Sequence, residues 1–330
     1  MGAIYLPGPI ANYFNHQVND LFQPAGMNVD FTSPQNEAAL YEPGSLAWRA
    51  YKNPVTVFIG GVSAVCMQLA EPRVRSGVWE HSNFKDNTKA RIQRTGLAAM
   101  MTVYGPKNAA EKMIQRVNRM HERVTGVTPN GEPYRANDPE LLNWVFNTAN
   151  YGFLSAYDRF GPGAAREEID VSLEEAAENV APLWGVTSAV RSVSDVQSSF
   201  DKMLPKLESH PYLEEFMVII KKAELMPSYL RPVQLLLIRA AVSNMPENVS
   251  ARVGLDKFGL RPGEETLVKM MGKLADRVYL DALPAIDASQ RMGLPADYLY
   301  TRGANDNEAD GSHDAAPNHN PKPPADEFHL

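Results

Sequence analysis

Apolar residues recur at three- and four-residue steps along most of the chain, separated by short polar breaks, a period that predicts helix nearly throughout. Val55, Phe58, Ile59, Val62, Val65, Cys66 and Leu69 follow this spacing. Glu71-Pro72 then closes or bends that helix, because proline removes a donor and crowds the preceding turn. A second helix is expected over 88–104, stopped by Gly105-Pro106, and a third over 108–126 with Ile114, Val117, His121 and Val124 along one face. Asp138 as N-cap and Pro139 at the first helical position open another, carrying Leu141, Trp144, Val145, Thr148, Phe153 and Tyr157. Further helices are expected over 172–180, with Ser172 and Glu175 as a capping box, and over 194–204, 211–223, 228–243, 264–280 and 283–292. The one hairpin signal is the Asn130-Gly131 turn.

Leu235, Leu236, Leu237 and Ile238 are apolar all round, which implies burial on every side and a shared core. The expected fold class is therefore all-α: a single multi-helix globular domain with at most one small hairpin near 127–134. Residues 1–34 are expected to form an N-terminal extension packed on the domain, and 35–302 the domain itself. From 303 to 330 Asn, Asp, Pro and His replace apolar residues, predicting a disordered acidic tail.

Composition narrows the function classes. Apolar residues at 44% and charged residues at 22% exclude a disordered or fibrous chain. The net charge is -7, and beyond Gly303 six acids face one base, so the rest is nearly neutral and offers no electrostatic footprint for nucleic acid. The single cysteine, Cys66, excludes an internal disulfide and a Cys-rich zinc site. The most apolar of the long uncharged stretches, 53–70, contains Asn53, Thr56, Ser63, Gln68 and two adjacent glycines, and reads as a buried helix rather than an integral membrane span. The N-terminus has neither the basic nor the apolar segment of a secretory signal, so a cytoplasmic location is expected.

Of seven histidines, His313, His319 and His329 lie in the tail, His16 near the N-terminus, and His210 before Pro211 at an exposed helix start. His81 follows Glu80 at the loop entering the second helix, where capping is the simple role. His121 falls mid-helix on an apolar face, and an imidazole there needs a partner. A hydrogen-bonded core histidine and a metal or haem ligand are both open readings. Arg91, Arg94 and Thr95 share a helix face at i, i+3 and i+4. That face is either a solvated basic edge or a surface for an anionic or oxygen-bearing ligand. Gly60-Gly61 points to close helix packing rather than nucleotide binding, and no phosphate-loop, dinucleotide, zincin or serine-hydrolase motif occurs. Glu71 and Glu80 flank the region as carboxylates available for base catalysis.

The ordered string Gln68-Leu-Ala-x-Pro72, Trp79-Glu-His81-Ser82-Asn-Phe84, Arg91-x-x-Arg94-Thr95, Tyr104-Gly105, Val117-x-x-Met120-His121-x-x-Val124-x-Gly126 and Tyr134-x-Ala136-x-Asp138-Pro139-Glu140-Leu141-x-x-Trp144-Val145 resembles the family that includes the fungal MpaB oxygenases and the bacterial latex-clearing (rubber oxygenase) proteins. The likeness runs over about residues 35 to 255, with Met226-Pro227, Leu230-Arg231 and Met245-Pro246 resembling its later helices. The resemblance implies an all-helical oxygenase with haem b, in which His121 is the proximal iron ligand and Arg91, Arg94 and Thr95 line the distal side. It further implies dioxygen and an apolar, isoprenoid or unsaturated, small-molecule substrate. A haem sensor or carrier without turnover, and a haem-less helical protein binding an apolar ligand, are the rival functions. The chain departs from the family pattern in Glu71 before Pro72 and Phe146 after Val145, both positions where many members have histidine, and in Arg94, where rubber oxygenases have lysine. A guanidinium is a poor iron ligand, so the distal side is expected to be open or water-filled, and polyisoprene is a poor substrate guess.

Overall fold

The computed structural model describes residues 2–22, 29–82, 84 and 87–301. The acidic tail expected over 303–330 lies outside the described residues. The helices are α1 (Gly8–Phe22), α2 (Leu46–Lys52), α3 (Pro54–Ala70), α4 (Pro72–His81), α5 (Thr88–Tyr104), α6 (Lys107–His121), α7 (Pro139–Phe160), α8 (Arg166–Asn179), α9 (Val193–Met203), α10 (Pro211–Lys222), α11 (Arg231–Ser243), α12 (Glu247–Arg252), α13 (Glu264–Ala275) and α14 (Pro284–Arg291). The strands are β1 (Ile4–Tyr5), β2 (Thr125–Val127), β3 (Pro133–Arg135) and β4 (Val278–Tyr279). The fold is all-α, as the periodicity predicts.

Local chemistry sets most helix ends. The Asn53 side chain accepts from the amides of Val55 and Thr56 at 3.2 and 3.3 Å, and Pro54 follows at the first position of α3. Glu71 does the same for α4, accepting from Val74 N–H at 2.8 Å ahead of Pro72. Asn87 caps α5 through Ala90 N–H at 3.3 Å, so His81 is not its cap. Asp138 caps α7 as predicted, at 2.9 Å from Glu140 N–H.

Three expected ends fall elsewhere. α6 stops at His121 instead of running to 126, because Val124 N–H turns back to the His121 carbonyl at 3.0 Å and 125–127 pair antiparallel with 133–135. Ser172 is buried inside α8 and caps nothing; the helix begins after Ala165, whose N–H meets Glu168 at 3.2 Å. α13 ends at Ala275, since Val278 and Tyr279 pair in parallel with Ile4 and Tyr5, a two-residue ladder that local periodicity does not announce.

α3 and α7 cross at the centre of the larger core cluster, joined by α9, α10 and α11 through Met67, Trp144, Phe200, Phe216 and Leu237. The crossing is close: a Cβ on Gly60 would lie 2.6 Å from the Gly152 carbonyl oxygen. The Gly60-Gly61 reading as a packing feature is therefore correct at Gly60. Asn244, just past α11, ties the centre together, donating to Ser155 Oγ at 2.9 Å and the Gly152 carbonyl at 3.2 Å while its own carbonyl accepts from the Tyr151 hydroxyl at 3.0 Å. A second cluster joins α2, α5, α6, α14 and the N-terminal segment through Trp48, Tyr104, Ile114, Phe31 and Ile286. α1 packs along α5. No single described helix is long and apolar enough to cross a membrane.

Candidate functional site

Burial along α5 changes from its start to its end. Leu97, Met100, Met101 and Tyr104 in its later turns are buried in the second cluster, while Arg91, Arg94 and Thr95 in its first turns are exposed. Arg91 is exposed, yet burial is the first cause that lowers its guanidinium pKa, with the Arg94 charge second. Neither Arg91 nor Arg94 forms an ion pair with a described residue. Two neighbouring guanidinium groups that no described carboxylate neutralises make a surface suited to an anion.

His121 ends α6, and the fold brings it within electrostatic range of Arg91. Its Nδ1 is sealed from solvent without a hydrogen-bond partner among the described residues. Burial first, and the Arg91 charge second, lower its pKa from the ordinary 6.5. The negative end of the α6 dipole pulls the other way, by about 0.3–1 kcal/mol, and loses. The imidazole is therefore neutral near pH 7, the form that ligates a metal. Asn118, one turn earlier, donates to the Leu183 carbonyl at 2.8 Å and pins the last turn of α6.

The structure thus brings Arg91 within electrostatic range of His121, with Arg94 beside Arg91 on α5. Thr95 shares the α5 face, but its hydroxyl donates to the Arg91 carbonyl at 2.9 Å, so its proton is already engaged. Both carboxylates considered as bases are engaged too. Glu71 accepts from Val74 N–H and from Arg73 Nε at 2.7 Å. Glu80 accepts from the Tyr134 hydroxyl at 2.7 Å, and His81 Nε2 contacts the same hydroxyl at 3.2 Å. Tyr134 belongs to the ordered motif string, and its contact with the end of α4 is what local spacing could not reveal. His210 caps α10 through Tyr212 N–H at 3.2 Å, and His16 is exposed on α1. Two clefts of about 390 Å³ lie beside β1 and β4 and between α1, α5 and the turn at 223–228, and neither includes the four predicted residues. The charge pattern, not cleft size, singles those residues out.

The lowered His121 pKa has a testable sign. Below pH 6.5 the unfolded chain takes up a proton that the folded protein resists, so stability should fall as pH drops through 6.5 and level off below the folded pKa. His210 is lowered in the same direction, by burial first and then by Arg75, and adds to the slope. Thermal melts of cofactor-free protein between neutral and mildly acidic pH should show a shallower slope in His121→Gln than in the parent protein.

A family profile described as "ER-bound oxygenase mpaB/B'/Rubber oxygenase, catalytic domain" matches residues 48–277. The chain belongs to this family of oxygenase domains. No curated protein and no solved structure matches it.

Proposed function

We propose that this member of the oxygenase family holds a b-type haem through His121 and oxidises an apolar small molecule with dioxygen. The observation that carries the reading is the buried His121 Nδ1, unpartnered among the described residues, on a neutral imidazole within electrostatic range of Arg91. A sealed ring nitrogen without a partner costs about 1–3 kcal/mol, which a ligand bond to the ring and the adjustment it brings can offset. Among the described residues no three His, Cys, Asp or Glu side chains come together as a ligand set for a bare metal ion. A metal held by four macrocycle nitrogens needs one imidazole from the protein, and the propionates of that macrocycle suit a pair of guanidinium groups. The chain has no Cys-x-x-Cys-His, so attachment is non-covalent.

When bound, the haem supplies an iron centre at which dioxygen is activated. The chain's own residues then have separate tasks. His121 would hold the iron through its imidazole, and the Asn118 bond to Leu183 and the turn from Val124 N–H to the His121 carbonyl keep that ring in place. Arg91 and Arg94 would hold the anionic edge, as two neighbouring guanidinium groups that no described carboxylate neutralises. Thr95 is left with only its acceptor capacity, since its hydroxyl donates to the Arg91 main-chain carbonyl. With Glu71 and Glu80 engaged, neither is a ready base, which favours an oxidation that needs no carboxylate to remove a substrate proton.

The absorbance of freshly purified protein tests this. A Soret band is expected in the parent protein, in His81→Ala and in His210→Ala, and lost or strongly shifted in His121→Ala. Haem-free protein that cannot be reconstituted would overturn the reading in favour of a helical protein binding an apolar ligand.

A further inference from the structure

Three tyrosine rings meet in succession from the interior to the surface. Tyr300 is buried, its ring centroid lies 5.5 Å from that of Tyr279, and Tyr279 lies 5.1 Å from Tyr5, which is 63% exposed. The inner end already meets an ammonium group: Lys52 Nζ sits 4.1 Å above the Tyr300 ring centroid and 3.3 Å from Asp276 Oδ2. A ring face and a carboxylate together compensate the charge that burial would otherwise penalise. At the outer end Tyr5 and Tyr279 line one of the two clefts of about 390 Å³, together with Asp281, Asp297, Leu6 and Ala11. The same two kinds of group recur there, but no basic side chain of a described residue lines the cleft. Neither Asp281 nor Asp297 forms an ion pair with a described residue.

We infer that this cleft binds a small organic ammonium ion, with the Tyr5 and Tyr279 rings against its alkyl groups and Asp281 and Asp297 facing its charge. The four side chains are close enough to act on one another. Burial first, then the charge and hydrogen bond of Asp281, then Tyr5 and Asp297, push the Tyr279 hydroxyl up to about 12. Tyr279 is therefore a neutral phenol near pH 7 and donates to Asp281. Asn15 Nδ2 reaches Asp281 Oδ2 at 3.5 Å while its Oδ1 accepts from Ala282 N–H at 3.1 Å. Neutral donors such as these orient a carboxylate without cancelling its charge. Two carboxylates alone would attract any cation, and the rings make the choice among cations. A bare divalent ion needs about six oxygen ligands, more than this lining supplies. A tyrosine face instead attracts a weakly hydrated charge clothed in methyl or methylene groups, and the two rings add apolar contact area. The cleft has the volume of a small-molecule site. None of Arg91, Arg94, Thr95 or His121 lines it, so it is separate from the proposed haem site.

Isothermal titration calorimetry of the full chain with choline tests the inference. Saturable one-to-one binding is expected, weaker by about tenfold or more for the neutral isostere in which carbon replaces the charged nitrogen. Tyr5→Leu and Asp297→Asn should each weaken choline binding by about three- to tenfold. Asp201→Asn, which removes the same charge from an exposed position on α9, should leave it unchanged. Tyr5 is exposed and asparagine matches aspartate in size, so both cleft variants should keep the circular dichroism spectrum and melting temperature of the parent protein. Equimolar magnesium at constant ionic strength should not displace choline. Absence of saturable binding, equal binding of the neutral isostere, displacement by magnesium, or binding indifferent to both Tyr5→Leu and Asp297→Asn would each overturn the assignment.

Discussion

Gly60→Ala should lower the melting temperature by roughly 6 °C or more, while Gly61→Ala, one residue along, should leave it unchanged or raise it. A Cβ on Gly60 would stand 2.6 Å from the Gly152 carbonyl oxygen and 2.8 Å from Phe153 Cα. These are backbone atoms of α7, which cannot rotate aside, so α3 and α7 would have to separate at the centre of the larger core. Overpacking typically costs about 1–3 kcal/mol, and a clash with backbone belongs at or above the top of that range. At this chain length each kcal/mol is worth about 2 °C. A Cβ on Gly61 meets only the Phe153 ring, at 3.8 Å, an ordinary contact. Alanine there relieves the helix-propensity penalty of glycine, worth up to about 1 kcal/mol. Gly272→Ala should behave like Gly60→Ala, because its Cβ would collide with the Phe160 carbonyl. Melts of the three variants decide the matter: equal losses at Gly60 and Gly61 would refute the close crossing as the reason for the pair.

Oxygen uptake by the reduced protein should rise with an apolar substrate and fall by about a hundredfold or more in His121→Ala, since the proposed reading makes that imidazole the iron ligand and even the residues supporting such a ligand are worth about ten- to a hundredfold. The measurement is an oxygen electrode trace across isoprenoids, unsaturated fatty acids and aromatics. Arg91→Gln and Arg94→Gln should reduce uptake less, because each leaves one guanidinium on α5. Arg91→Gln should also raise the His121 pKa in cofactor-free protein, since it removes the second cause of its depression while burial remains. Thr95→Val should have the smallest effect of the four, its hydroxyl being bonded to the Arg91 carbonyl. Stable oxygen binding without substrate-dependent uptake would identify a carrier or sensor instead.

Much of the fold was legible because helix period, caps and stops are written within about four residues of one another. Pro54 behind Asn53, Pro139 behind Asp138 and the Gly105-Pro106 stop all act where local rules place them. The shared face of Arg91, Arg94 and Thr95 follows from spacing alone, and the family motifs fall on the elements those rules predict. The sequence by itself therefore determined the class, most helix boundaries and the family.

Tertiary structure decided what depends on contacts between distant segments. Pairing of 125–127 with 133–135 ends α6 at His121, and pairing of β4 with β1 shortens α13. Both outcomes override a periodicity that would have continued. The approach of Arg91 to His121 joins two helices whose register against each other no local rule contains. The engagement of Glu80 by Tyr134 and of Glu71 by Arg73 likewise depends on which surfaces meet. Adjacent glycines look alike in sequence, and only the crossing with α7 makes Gly60 indispensable and Gly61 replaceable. The same holds for α13: local rules predict the helix, but only its packing decides that Val268 and Gly272 are buried while Leu267, Met270 and Leu274 stay exposed. Period and caps are properties of a short segment, whereas burial, pKa and close approach are properties of the pair of surfaces that the fold brings together.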